Sequence, residues 1–237
     1  GTEMTWQEYR SHVDLLDESF VFRGQQKRDR LRTTFHRSGR ANLFRFLHND
    51  LPFLHRQMSS RTTHIFQLSD PDQFGAFCWL AQHHGYPTPL LDWTYSPFVA
   101  AYFAYRRVSN KDIVKEPEGT VRIFKFNRRA WSQDNFVIPR LTTGRRHFSF
   151  MDFLPIENER ARPQQAVSSV TNMDDIEWFV SHMEKHHRRK YLEAIDLPLS
   201  ERPAVMRDLA RMGITAAALF PGLDGICEEV RERHFSI

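Results

Sequence analysis

A carboxylate set inside an apolar strand constrains this chain more than any other feature. Leu90-Leu91-Asp92-Trp93-Thr94 reads as a buried strand, and desolvating Asp92 without a partner is costly. The fold must therefore bring it a counter-charge or hydrogen-bond donors. The segments on either side are sharply punctuated. Asp70 as N-cap, Pro71 in the first turn, the apolar body Phe74-Phe77-Cys78-Leu80-Ala81 and Gly85 as the stop predict a helix, with Gln82, His83 and His84 on its last turn. After the strand, Ser96-Pro97 starts a further helix through Phe98, Ala100, Ala101, Phe103 and Ala104.

The rest of the pattern is mixed. Thr5 to Leu16 has amphipathic helical spacing, and Ser19 to Phe22 reads as a short strand that delivers Arg23-Gly24 to its end. Ala41 to Met58 predicts a long helix that Pro52 ends or kinks. Strands are expected over 120–127, 147–153, 165–171 and 190–195, with helices over 174–186 and 201–212. The stretch 110–119 is the most linker-like. Strands spaced irregularly, with no repeated βα unit, give an α+β class, and no compositional boundary divides the 237 residues, so one domain is expected.

Arg23 is a natural partner for Asp92, since a guanidinium fork can hold a carboxylate or a phosphate through two bonds. A purely structural ion pair is the competing reading of the same two residues. Three basic runs, 27–32, Arg145-Arg146 and 188–190, together with a net charge of +4, favour an anionic partner such as nucleic acid, although solvated faces account for them equally well. No apolar run is long enough to span a membrane. Gly1-Thr2-Glu3 before Met4 reads as a cloning remnant, no signal peptide follows it, and the two cysteines, Cys78 and Cys227, are expected in the core. The expected address is the cytoplasm. His182 and His186 share a helix face, but without the zinc-protease pattern or a further ligand no metal is expected.

Phe22-Arg23-Gly24, the run from Ala81 to Thr94, Ser96-Pro97 and the helix Ala100-Ala101-Tyr102-Phe103-Ala104 together resemble the FRG domain family. The likeness continues through Arg160, Arg162 and Gln164-Gln165 to Leu219-Phe220-Pro221-Gly222-Leu223-Asp224-Gly225. Pro89 stands where the family usually has Arg, and Ala166 and Ser168 stand where Gly and Phe usually follow the glutamines. More remotely, the order of these segments resembles the ADP-ribosyltransferase fold, a split β-sheet core with flanking helices.

The second resemblance implies NAD as a substrate, no metal, and transfer of ADP-ribose to nucleic acid, RNA or DNA, in a toxin or phage-defence effector with a neutralising partner protein. It implies a catalytic set drawn from Arg23, Asp92, Thr94, Gln164, Gln165 and Glu157, and a cofactor-binding set of Arg23, Gly24, Gln82, His83, Tyr86 and Trp93. Trp93 or Tyr86 would stack on nicotinamide, with an ordinary core position the alternative for Trp93. His83 or His84 is a candidate proton carrier beside Asp92. The competing expectation is a non-catalytic sensor that binds a nucleotide or an RNA segment. A nuclease fits less well, because no compact carboxylate cluster is present for two metal ions.

Overall fold

Residues 1–235 are described here from a computed structural model. Among these residues seven strands form one open sheet: β1 (Thr2–Glu3), β2 (Phe20–Gln25), β3 (Leu90–Thr94), β4 (Thr120–Asn127), β5 (Phe148–Met151), β6 (Ala166–Thr171) and β7 (Leu192–Pro198). Their order is β1-β7-β4-β2-β3-β6-β5, and every neighbouring pair is antiparallel except β1 with β7. Twelve α-helical segments flank the sheet among the described residues: α1 (Trp6–Val13), α2 (Thr34–Arg37), α3 (Leu43–Arg45), α4 (Leu51–Met58), α5 (Pro71–His83), α6 (Pro97–Tyr105), α7 (Asn110–Lys115), α8 (Arg128–Asp134), α9 (Ile176–His187), α10 (Arg202–Arg211), α11 (Ala216–Leu219) and α12 (Leu223–Phe235). None of them is long and apolar enough to cross a membrane.

The local signals act as their chemistry dictates. Thr5 and Glu8 close a capping box on α1, Asp70 and Ser96 accept main-chain N–H groups at the starts of α5 and α6, and Gly85 leaves α5 with φ +89°. Pro52 has no N–H to give the preceding turn. The expected long helix is accordingly interrupted, with a π-helical segment over Phe46–Asp50 between α3 and α4. The stretch 110–119 is not a linker: Ser109 and Asp112 form a second capping box and α7 follows. Cys227 is exposed on α12 rather than in the core, whereas Cys78 is buried.

Both faces of the sheet are covered. Tyr9, Tyr102, Ile195 and Leu209 join α1, α6 and α10 to one face, while Trp93, Phe126, Trp131, Phe148 and Ile176 join α8 and α9 to the other. A third cluster with Phe35, Phe46, Phe66 and Phe77 seats α2 to α5 beside β3. Burial of each large side chain contributes about 1.5–3 kcal/mol.

One place in the sheet is left open. Strand β2 pairs with β4 along its length but meets β3 at a single register position, Phe22 opposite Thr94. Beyond that point the two central strands diverge. Gly24 sits in the diverging half of β2, pressed against α6 so closely that an added Cβ would lie 1.9 Å from the Ala100 carbonyl oxygen. The close approach carries the wedge between β2 and β3 up to the side of α6.

Candidate functional site

The wedge opens into a cleft of about 510 Å³, a size usual for small-molecule sites. Arg23 does not lie past the end of its strand, as the pattern suggested, because β2 continues to Gln25. Its Nη1 donates to the main-chain carbonyl of Asp92 at 2.6 Å, and its Nε reaches Gln25 Oε1 at 3.4 Å. The expected carboxylate–guanidinium ion pair is replaced by a bond to backbone across the wedge. Burial lowers the Arg23 pKa to about 10, the Asp92 charge opposes that and Arg37 adds to it, so the cation persists at neutral pH.

The Asp92 carboxylate finds neutral donors instead. Trp79 Nε1 donates to Oδ1 at 3.1 Å, Ser168 Oγ to the same oxygen at 3.2 Å, and Gln82 Nε2 to Oδ2. Gln82 is oriented in turn by Thr88, whose hydroxyl donates to Oε1. Ser168 stands directly opposite Asp92 in the β3–β6 register, so strand pairing supplies one of the three donors. Trp79 lies on the buried face of α5 three residues before Gln82, so helical spacing puts these two donors on one face.

Cations dominate the rest of the cleft. Arg23, Lys27, Arg37, Arg106, Arg107 and Arg160 line it, against Asp29 and Asp92. Arg106 is held by Glu228 of α12 at 2.6 Å and lies 4.2 Å over the Phe220 ring. Arg160 lies over the same ring at 5.6 Å and donates to the His83 carbonyl. Phe103 meets Phe220 edge to face at 5.9 Å, which gives the cleft an aromatic wall. His83 Nδ1 is 2.7 Å from Asn158 Oδ1; a donating Nδ1–H leaves the lone pair of the neutral ring on Nε2.

Several expected residues are engaged elsewhere. Thr94 and Gln164 line the cleft but serve the fold: Thr94 Oγ1 donates to the Gln164 carbonyl at 2.7 Å, and Gln164 Nε2 donates to the Leu219 carbonyl at 3.0 Å. Trp93 turns its indole into the opposite core, among Phe126, Phe148 and Phe150, and donates to Ser169. Tyr86 packs beside the third cluster, away from the cleft lining. Glu157 is exposed and accepts from Thr63 and the His64 N–H, which hold its pKa below the usual carboxylate range. Gln165 lines a different depression. His84 caps α5, is exposed and lies outside the cleft lining.

The basic run 27–32 is mostly self-neutralised. Arg28 pairs with Glu3 and Asp196, Arg30 with Asp175 and Arg32 with Asp174, which leaves Lys27 to the cleft. Arg189 and Lys190 are likewise paired, with Asp134 and Glu184. Arg106, Arg107 and the Phe103–Phe220 wall were missed in the sequence. Their signal was the step from the apolar run of α6 straight into Arg106-Arg107, beside the strand that carries Arg23.

No curated protein and no solved structure matches the chain. Residues 18–113 match the family model described as FRG domain. The matched stretch supplies every cleft-lining residue except Arg160, Gln164, Ala166 and Phe220. This stretch, similar to the FRG domain, builds most of the candidate site.

Proposed function

We propose that this protein is an NAD-dependent ADP-ribosyltransferase that modifies nucleic acid, with the β2–β3 cleft as its dinucleotide site. The observation that carries the reading is the convergence of six cationic side chains around one rigidly held carboxylate, Asp92. A pyrophosphate needs such cations, and a sugar that develops positive charge needs such a carboxylate. We read the divergence of β2 from β3 beyond Phe22 and Thr94 as the split of an ADP-ribosyltransferase-like sheet.

Arg23 and Arg37 then hold phosphate, while the Phe103–Phe220 wall offers a ring surface in place of Trp93 and Tyr86. The bond between ribose C1′ and nicotinamide breaks with its electron pair leaving on nicotinamide. Asp92 stabilises the oxocarbenium-like sugar, and a lone pair of the acceptor forms the new bond to C1′. The acceptor's proton passes to His83 Nε2 or to water. The two free cysteines suit the reducing cytoplasm in which a toxin or phage-defence effector would act.

A second reading, a nucleotide or RNA sensor without turnover, is favoured by one observation. Thr94 and Gln164 are tied into main-chain hydrogen bonds and are not free to meet a ribose. Label transfer from adenine-labelled NAD to RNA, DNA and protein, offered separately, separates the two. Label on nucleic acid supports the transferase, and saturable NAD binding without transfer supports the sensor.

A further inference from the structure

Beyond the cleft, the ends of β3 and β6 form a ledge with a second depression on its far side. Thr94 and Gln164 line the cleft, whereas their immediate neighbours Tyr95 and Gln165 line a groove of about 820 Å³. The ledge is fastened twice, by Thr94 Oγ1 donating to the Gln164 carbonyl and by the Tyr95 N–H donating to the Gln165 carbonyl at 3.0 Å. Gln165 occupies the left-handed region at φ +47°, a conformation uncommon for a residue with a side chain and often found where a site imposes it.

The chemistry of this groove differs from that of the cleft. Tyr95 is 38% exposed, a large ring left in contact with water. The Arg128 guanidinium lies 5.6 Å from its centroid, fixed there by an ion pair with Asp152 and by the Phe150 ring. Arg129 is exposed beside it on α8, and Glu18 is the one carboxylate among the lining residues. An exposed ring beside two arginines is the arrangement that stacks an unpaired base and holds the phosphate next to it.

We propose that this groove is the acceptor subsite, seating an unpaired nucleotide of single-stranded nucleic acid with its base on Tyr95 and its phosphate on Arg129. The assignment rests on the transferase reading for its purpose but not for its test. A strand lying here crosses the Thr94–Tyr95 ledge to bring its next nucleotide to the cleft. Duplex is excluded from this contact, because its bases are already stacked on one another.

The test is fluorescence anisotropy of labelled single-stranded RNA and DNA oligonucleotides on the full chain without NAD, so that an inactive cleft leaves the readout intact. Saturable binding of either strand is expected, with Tyr95→Ala weakening it roughly tenfold and Tyr95→Phe retaining it. Arg129→Gln, at an exposed position that does not threaten the fold, is expected to make the salt dependence shallower by about one phosphate contact. Absence of saturable binding would overturn the proposal. So would equal competition by duplex, or wild-type affinity and salt dependence in both Tyr95→Ala and Arg129→Gln.

Discussion

Arg23 reaches across the open half of the sheet to the main-chain carbonyl of Asp92, not to its carboxylate. The two residues are thus joined through backbone, and the carboxylate is committed to Trp79, Gln82 and Ser168. The arrangement keeps the guanidinium and the carboxylate as separate charges in one cleft, where a direct ion pair would have left neither free for a ligand.

Arg23→Lys removes the planar fork that spans the wedge while keeping the charge. An ammonium cannot reach both the Asp92 carbonyl and Gln25, so a loss of about 1.5–3 kcal/mol in urea unfolding is expected. Unchanged stability would show that the cross-wedge bond contributes nothing.

Gln82→Ala takes one donor from Asp92 and one acceptor from Thr88. The expected cost is about 1–3 kcal/mol by denaturant titration. Trp79, on the same carboxylate, provides a fluorescence probe for the local change.

Gly24→Ala places a Cβ against main-chain atoms of α6, the Ala100 oxygen at 1.9 Å and the Ala104 nitrogen at 2.7 Å. Backbone cannot rotate away as a side chain would, so the strand and helix must part. Destabilisation of about 3 kcal/mol is expected, read as a lower midpoint in urea.

Acid should weaken the fold in a window set partly by His36. Burial lowers its pKa from 6.5, Asp174 opposes the shift and Arg32 reinforces it. The unfolded chain then binds the proton first, so this contribution is complete above about pH 6.5 and is lost as pH falls through that value toward the lower folded pKa. His12 and His147 are shifted the same way. The decisive comparison is of thermal melts from about pH 7.5 to about pH 5.5, in which His36→Gln is expected to fall less steeply than wild type.

Much of the framework was legible in the sequence because its signals are local. Asp70, Gly85 and Ser96 punctuate their helices wherever they sit, and an apolar pentad around Asp92 demands donors in any fold. The donors themselves were not legible, since Ser168 meets Asp92 only through strand register, and a slip of one residue would face it the other way. Trp93 was ambiguous for the same reason: alternation puts it opposite Asp92 in direction, but only the sheet's second layer decides that this direction is core. The ion pairs of the first basic run were not legible either, because partners such as Asp174 of Arg32 lie far along the chain. Phe220 meets Phe103 and Arg106 only through tertiary packing, which spacing could not reveal.

The most direct measurement is nicotinamide release from NAD, with each nucleic-acid acceptor, by the wild type and by Asp92→Asn. Asparagine keeps an oxygen for Trp79 and Ser168, so the variant should fold, which circular dichroism can verify. The account predicts turnover by the wild type and a loss on the order of 100-fold in Asp92→Asn, with NAD affinity changed far less. Saturable NAD binding with no nicotinamide released by the wild type would contradict the transferase and leave the cleft a sensor.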